Sequence, residues 1–162
     1  MLLFLKKIII SLFLFLPFTA LAQNNQNINL AEVFQNGTNI INQQNLNYQN
    51  YQAKPVVVVY WTWWCNICKQ QLQNLNSLQQ QNADNKFYII GISVDNPQKN
   101  HKKTVKIAKN LQFDNFYLDQ QKSIYHPETI PTTFIFNSQH QQIAKIEGVL
   151  DTQELAKIIL PK

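Results

Sequence analysis

Apolar residues recur along this chain in three rhythms, and each predicts a different kind of element. Val56-Val57-Val58-Val59-Tyr60, opened by Pro55, is a continuous run rich in β-branched residues. Phe87 to Val94 is a second such run. Unbroken apolar segments of this length suit strands buried on both faces, as in the middle of a sheet covered by helices. Between them Cys68, Leu72, Leu75 and Leu78 return at helical spacing, with Gln and Asn on the other face. Asp95 or Asn96 can cap a further helix that has Pro97 in its first turn and reaches about Asn110. Phe116 to Leu118 predicts a short strand, with a brief helical turn around Lys122 to Tyr125. Thr132 to Asn137, a turn over Ser138 to Gln142 and Ile143 to Ile146 form a hairpin. Asp151-Thr152-Gln153-Glu154 is a capping signal for a closing helix through Leu155, Ala156, Ile158 and Ile159.

Upstream, Asn36-Gly37 between Val33-Phe34 and Ile40-Ile41 predicts an N-terminal β-hairpin, because both turn residues tolerate positive φ. Asn42 to Lys54 is polar, with Leu46, Tyr48 and Tyr51 as its anchors, and predicts a loop or short irregular helix. The element order is a hairpin, then β-α-β-α-β, then a hairpin and a helix. It predicts one α/β domain in which a mixed central sheet is flanked by helices. No internal repeat or domain boundary interrupts it.

The third rhythm lies at the start. Lys6 and Lys7 precede Ile8 to Leu16, which is apolar apart from Ser11, and Ala20-Leu21-Ala22 ends ahead of the polar Gln23. This is the pattern of a secretory signal peptide over residues 1–22. Ile8 to Ala22 is fifteen residues, short of the roughly 20 that span a bilayer. Cleavage is therefore favoured over an uncleaved anchor in the inner membrane. The mature domain would be residues 23–162, opening on an amide-rich leader to Asn29. It would act in the periplasm, where disulfides persist.

Composition narrows the functional classes. The net charge is +5, all fourteen cations are lysine, and 20 Asn with 21 Gln occupy much of the polar surface. Without arginine's bidentate fork and with so mild a charge, nucleic acid is not an expected partner. The chain has two cysteines, Cys65 and Cys68, too few for a disulfide-stapled miniprotein or a four-cysteine zinc ribbon.

Those two cysteines carry the chemistry. The segment Trp61-Thr62-Trp63-Trp64-Cys65-Asn66-Ile67-Cys68-Lys69 falls where a buried strand hands over to an amphipathic helix. Cys65 is thus placed at the helix N-terminus, where free backbone N–H groups and the positive dipole end stabilise a thiolate. Lowering a thiol from about 8.5 to about 7 takes roughly 2 kcal/mol. Cys68, one turn on, shares the face of Leu72 and Leu75 and is shielded. In this arrangement Cys65 attacks a substrate disulfide and Cys68 resolves the mixed disulfide. Three other roles compete. A structural staple closing so short a loop stabilises by only about 2 kcal/mol. A metal site would need ligands beyond one CxxC, and His101, His126 and His140 lack paired ligand spacing. The third is a pair of inert buried thiols.

The stretch from Lys54 to Lys69 resembles the thioredoxin-like TlpA/ResA/DsbE family of exported thiol-disulfide oxidoreductases. Tyr60-Trp61-Thr62-Trp63-Trp64-Cys65 matches its F-W-A-T-W-C pattern in register. Gly91-Ile92-Ser93-Val94-Asp95 is similar to its G-V-S-V-D, and Ile130-Pro131-Thr132-Thr133-Phe134 to its V-P-T-T-F. The resemblance implies a thioredoxin-like fold, a redox-active Cys65–Cys68 disulfide and a cis peptide bond at Pro131. The backbone of Ile130 would pair there with an extended substrate, and Trp64 would touch the same substrate. It also implies periplasmic protein thiols and disulfides as substrates, and a membrane dithiol carrier as electron source. Reduction is the favoured direction, with apocytochrome c as a recipient. No cofactor is implied.

Two positions depart from the family. Val59 stands where relatives carry a polar or acidic residue, and Gln71 where the ResA-type reductases carry glutamate. A carboxylate there would accept the proton of Cys68. Its loss lends weight to a disulfide-donating oxidase as the alternative. A rival from another class is a Cu(I)-binding thiol protein, although Met1 is the chain's single methionine. Lys99, Lys102, Lys103, Lys106 and Lys109 fall on one helical face, which predicts a solvated surface before a docking patch.

Overall fold

A computed structural model describes residues 28–118 and 125–161. The segment read as a signal peptide and the turn expected from Lys122 lie outside these residues, apart from Tyr125. Among the described residues no helix is long and apolar enough to cross a membrane.

In chain order the elements are α1 (Leu30–Asn36), β1 (Gly37–Asn39), a 3₁₀ turn (Tyr48–Tyr51), β2 (Val56–Trp61), α2 (Asn66–Gln80), β3 (Tyr88–Ser93), α3 (Pro97–Ala108), β4 (Asp114–Leu118), β5 (Thr132–Phe136), β6 (Gln142–Glu147) and α4 (Thr152–Ile159). The six strands form one sheet in the order β1-β4-β3-β2-β5-β6. Strands β2, β3 and β4 are parallel neighbours, while β5 runs antiparallel to β2, β6 to β5 and β1 to β4.

The valine run explains the centre. Every residue of β2 is buried because strands flank it on both edges and apolar layers cover both faces. Val57, Val59 and Trp61 pack with Leu72, Leu75 and Leu78 of α2 and with Leu155 and Ile159 of α4. Val56, Val58 and Tyr60 pack on the other face with Ile28, Leu30, Val33 and Phe34. Consecutive side chains alternate between the faces, so one strand supplies both cores.

The N-terminal hairpin at Asn36-Gly37 is not formed. Leu30, Val33 and Phe34 are buried at i, i+3 and i+4 along a helix, and Asn29 caps it by accepting the Ala31 N–H at 3.0 Å. Gly37, at φ −85°, needs no left-handed backbone and continues into β1. Its role is close approach, since a Cβ there would stand 3.0 Å from Cβ of Leu46. The chain reverses later, around Gln43 at φ 60°, and brings Thr38 opposite Asn45. The polar loop that follows is anchored as its spacing suggested. Tyr48 and Tyr51 ring Phe34 at centroid distances of 4.8 and 5.2 Å.

Candidate active site

The parallel strands β2 and β3 end side by side, with Trp61 opposite Ser93, and Thr132 at the start of β5 lies opposite Tyr60. Three loops therefore meet at one end of the sheet: residues 62–65, the turn after β3, and the segment leading to Pro131. Ligands of open α/β sheets bind outside the carboxyl ends of the parallel strands.

Cys65 is the N-cap of α2, as its position between strand and helix suggested, and its Sγ accepts the Cys68 N–H at 3.0 Å. It forms a disulfide with Cys68, the two Cα atoms being 5.2 Å apart. Cys65 keeps 9% of its surface exposed whereas Cys68 keeps none, so the outer sulfur is the one an incoming group can reach. The carbonyl oxygen of Ile130 lies 3.9 Å from Cys65 Sγ, and the Ile130–Pro131 bond is cis. A cleft of about 360 Å³ runs from Ile130 past Thr129, Glu128, Pro127 and His126 to Val94. Trp64 and Ile67, on either side of Cys65, are 61% and 58% exposed, whereas Trp61 is buried.

The loop before Cys65 is held by a residue that sequence reasoning assigned another task. Asn96, not Asp95, caps α3, accepting the N–H groups of Gln98 and Lys99 at 3.0 and 3.1 Å. Asp95 is buried and turns toward the site instead. Its Oδ1 accepts the Thr62 hydroxyl. Its Oδ2 accepts the Trp63 N–H at 3.0 Å, the Ser93 hydroxyl at 2.8 Å and the Thr104 hydroxyl at 3.1 Å. One carboxylate so ties the approach to Cys65 to β3 and α3. The hint in the sequence was a threonine and an acid in two of the matched motifs, but nothing local pairs them.

A second clamp lies beneath. Trp61 Nε1 donates to Asn115 Oδ1 at 3.1 Å, directly over Gly91. A Cβ on Gly91 would come 2.0 Å from that oxygen.

The two departures from the resembling family are both interior. Val59 is fully buried on the α2 face of β2. Gln71 is also fully buried and uses both ends of its amide, Nε2 donating to Thr133 Oγ1 at 3.2 Å and Oε1 accepting the Leu150 N–H at 3.0 Å. It joins α2 to β5 and to the start of α4, and an amide is no base at neutral pH. Among the described residues no three His, Cys, Asp or Glu side chains cluster as metal ligands.

The pattern of the AhpC/TSA family matches residues 16–146. The chain belongs to that family. Thioredoxin-like protein YneN of Bacillus subtilis is 26% identical over 94 residues, covering 56% of this chain and 55% of the relative. The match thus spans about half the length of that curated protein. Among solved structures, StoA from Bacillus subtilis superposes with a TM-score of 0.62 at 20% identity, covering 76% of this chain and 93% of that one. A secreted Mycobacterium tuberculosis disulfide oxidoreductase homologous to E. coli DsbE gives a TM-score of 0.66 at 16% identity, covering 81% and 98%. A secreted thiol-disulfide isomerase from Corynebacterium glutamicum gives 0.67 at 18%, covering 77% and 80%. At these identities the likeness is one of fold: the thioredoxin-like architecture, with the mixed sheet expected from the element order.

Proposed function

We propose that this member of the AhpC/TSA family is an exported thiol-disulfide oxidoreductase that exchanges its Cys65–Cys68 pair with protein substrates. The observation that carries the reading is the asymmetry of the pair: a rim sulfur at a helix N-terminus and a fully buried one behind it. In the reductive direction the Cys65 thiolate attacks a substrate disulfide and forms a mixed disulfide, expelling one substrate thiolate. The Cys68 thiolate then attacks Cys65 Sγ. The second substrate sulfur leaves as a thiolate, and two electrons have passed from the dithiol to the substrate. Residues 1–22 would direct export and be removed, leaving the domain to work in the periplasm. Two of the solved structures of like fold are of secreted proteins, which supports this placement.

Substrate is held by backbone and by exposed apolar side chains. The Ile130 carbonyl beside Cys65 offers an acceptor to an extended peptide lying along the cleft toward Val94. Trp64 supplies an exposed ring next to the reacting sulfur. Because Gln71 and Val59 offer no base, the proton of Cys68 passes to water as the mixed disulfide opens. Reduction, with electrons from a membrane dithiol carrier, follows the resemblance, whereas the missing carboxylate favours disulfide donation.

Cys68→Ser decides the chemistry, because it should leave substrate proteins covalently attached to Cys65 and released by dithiothreitol. No adduct with any protein, while Cys65 still reacts with iodoacetamide, would overturn the reading. Equilibration with glutathione separates the directions: a potential near about −270 mV marks a reductase and one near about −120 mV an oxidase.

A further inference from the structure

The charge of this domain is segregated. Lys99, Lys102, Lys103, Lys106 and Lys109 lie within residues 97–109, which contain no aspartate or glutamate. The other described residues hold five lysines against eight acidic groups. All five α3-segment lysines are exposed, and none makes an ion pair among the described residues. They repeat at i+3 and i+4, spacings at which like charges repel along a helix. A face serving solubility alone would mix the two signs.

Topology brings the start of this face to the active end of the sheet, and the rest runs away from it toward Tyr51 and Asp114. Helix α3 begins where β3 ends, beside the end of β2, so its first turns stand at the active end of the sheet. Contact is direct at one point: Nζ of Lys103 lies 3.9 Å from the ring centre of Trp63, two residues before Cys65. Beyond Trp63 come the exposed side chains of Trp64 and Ile67. The surface around Cys65 is therefore apolar at its centre and cationic along one flank.

We propose that the lysine face of α3 is a docking surface, and that the preferred substrate is a protein or peptide whose disulfide is flanked by an acidic segment. This rests on the disulfide-exchange reading and narrows its substrate class. Lysine is a flexible point charge without the fork that fits one anion geometry, so the face selects net negative charge. Aligned charge at the rim of a reactive site raises association rates by about 10- to 1000-fold at low ionic strength. An anionic lipid surface fits less well. Thr104 and Ala108 of α3 are buried, with Val105 and Ile107 packed against the core, so the lysine face carries no apolar stripe to enter a bilayer.

The test compares two synthetic disulfide peptides of the same length, one flanked by aspartates and one by lysines, reacting with the reduced protein. Neutral 2-hydroxyethyl disulfide serves as the reference. At about 0.01 M salt the acidic peptide should react about tenfold faster or more, and the ratio should approach one near 1 M salt, where the Debye length is about 3 Å. In the variant Lys99→Glu/Lys102→Glu/Lys106→Glu the ratio should invert. If that variant does not fold, Lys99→Gln/Lys102→Gln should lower the ratio. Equal rates for the two peptides overturn the docking surface while leaving disulfide exchange intact, as would equal rates with retention on phosphatidylglycerol vesicles. No reaction with 2-hydroxyethyl disulfide or either peptide would instead sink the exchange reading itself.

Discussion

The backbone N–H of Trp63 donates to the buried carboxylate of Asp95 across 3.0 Å. These residues lie 32 apart in sequence, and the bond joins the loop that delivers Cys65 to the end of a neighbouring strand. Because Asp95 also accepts the hydroxyls of Thr62 in the same loop, Ser93 of β3 and Thr104 of α3, the loop is tied to two elements at once.

Asp95→Asn should expose how much of the site depends on that carboxylate. An amide has one acceptor oxygen, so it cannot accept from all four donors. A lost hydrogen bond to a charged group costs about 1.5–3 kcal/mol. We expect a loss of stability in that range by urea unfolding, and slower alkylation of reduced Cys65 as the loop loosens. Unchanged alkylation together with unchanged stability would show that the loop holds its shape without Asp95.

Gln71→Glu would place a carboxyl group one helical turn from Cys68. Burial raises its folded pKa above the unfolded value of about 4.3. The variant's stability relative to the parent should therefore be highest below pH about 4.3 and decline as pH rises through the folded pKa. If Cys68 is short of a base, the resolving step should accelerate and its pH–rate profile should gain a limb that the parent lacks. A profile identical to the parent would mean that proton removal does not limit resolution.

Gly91→Ala tests the clamp on Trp61. The new methyl group would meet Asn115 Oδ1 at 2.0 Å and Trp61 Nε1 at 3.0 Å. Both side chains are buried, so moving either one disturbs its packed neighbours. Overpacking of this kind costs about 1–3 kcal/mol. Denaturant midpoints should fall accordingly, and a midpoint equal to the parent's would show that the hydrogen bond can be given up without loss.

At the far end of the sheet the Tyr51 hydroxyl donates to Asp114 Oδ2 at 2.5 Å. Burial pushes the Tyr51 phenol well above its ordinary range, and the hydrogen bond and charge of Asp114 push the same way. A raised folded pKa means that its contribution is fully present below pH about 10, the unfolded value, and is lost as pH climbs toward the folded value. Tyr51→Phe should thus be less stable than the parent at pH 7, with a difference that narrows above pH about 10. A difference that stays constant to pH about 11.5 would show that this phenol does not contribute to alkaline unfolding.

Much of the site could be read without coordinates because its signals are local. The valine run of β2, the helical spacing from Cys68 to Leu78 and the cysteine pair between them place Cys65 at a helix start whatever surrounds it. The same locality misled at Asn36-Gly37. A dipeptide that can turn a hairpin also suits the end of a helix, and the burial of Leu30, Val33 and Phe34 against β2 chose the helix.

By itself, then, the chain determined the strands and helices around the cysteine pair, the starts of α2 and α4 and which sulfur stands outermost, since these depend on residues within one or two turns of each other. Tertiary structure decided the rest. It brought the Ile130 carbonyl to Cys65, 65 residues away, set Asp95 under Trp63, and carried Lys103 of α3 over the Trp63 ring at the rim. The reason is geometric: a hydrogen bond between distant segments exists only after the sheet has paired its strands in register, and no nearest-neighbour pattern encodes which donors that register will collect around one carboxylate.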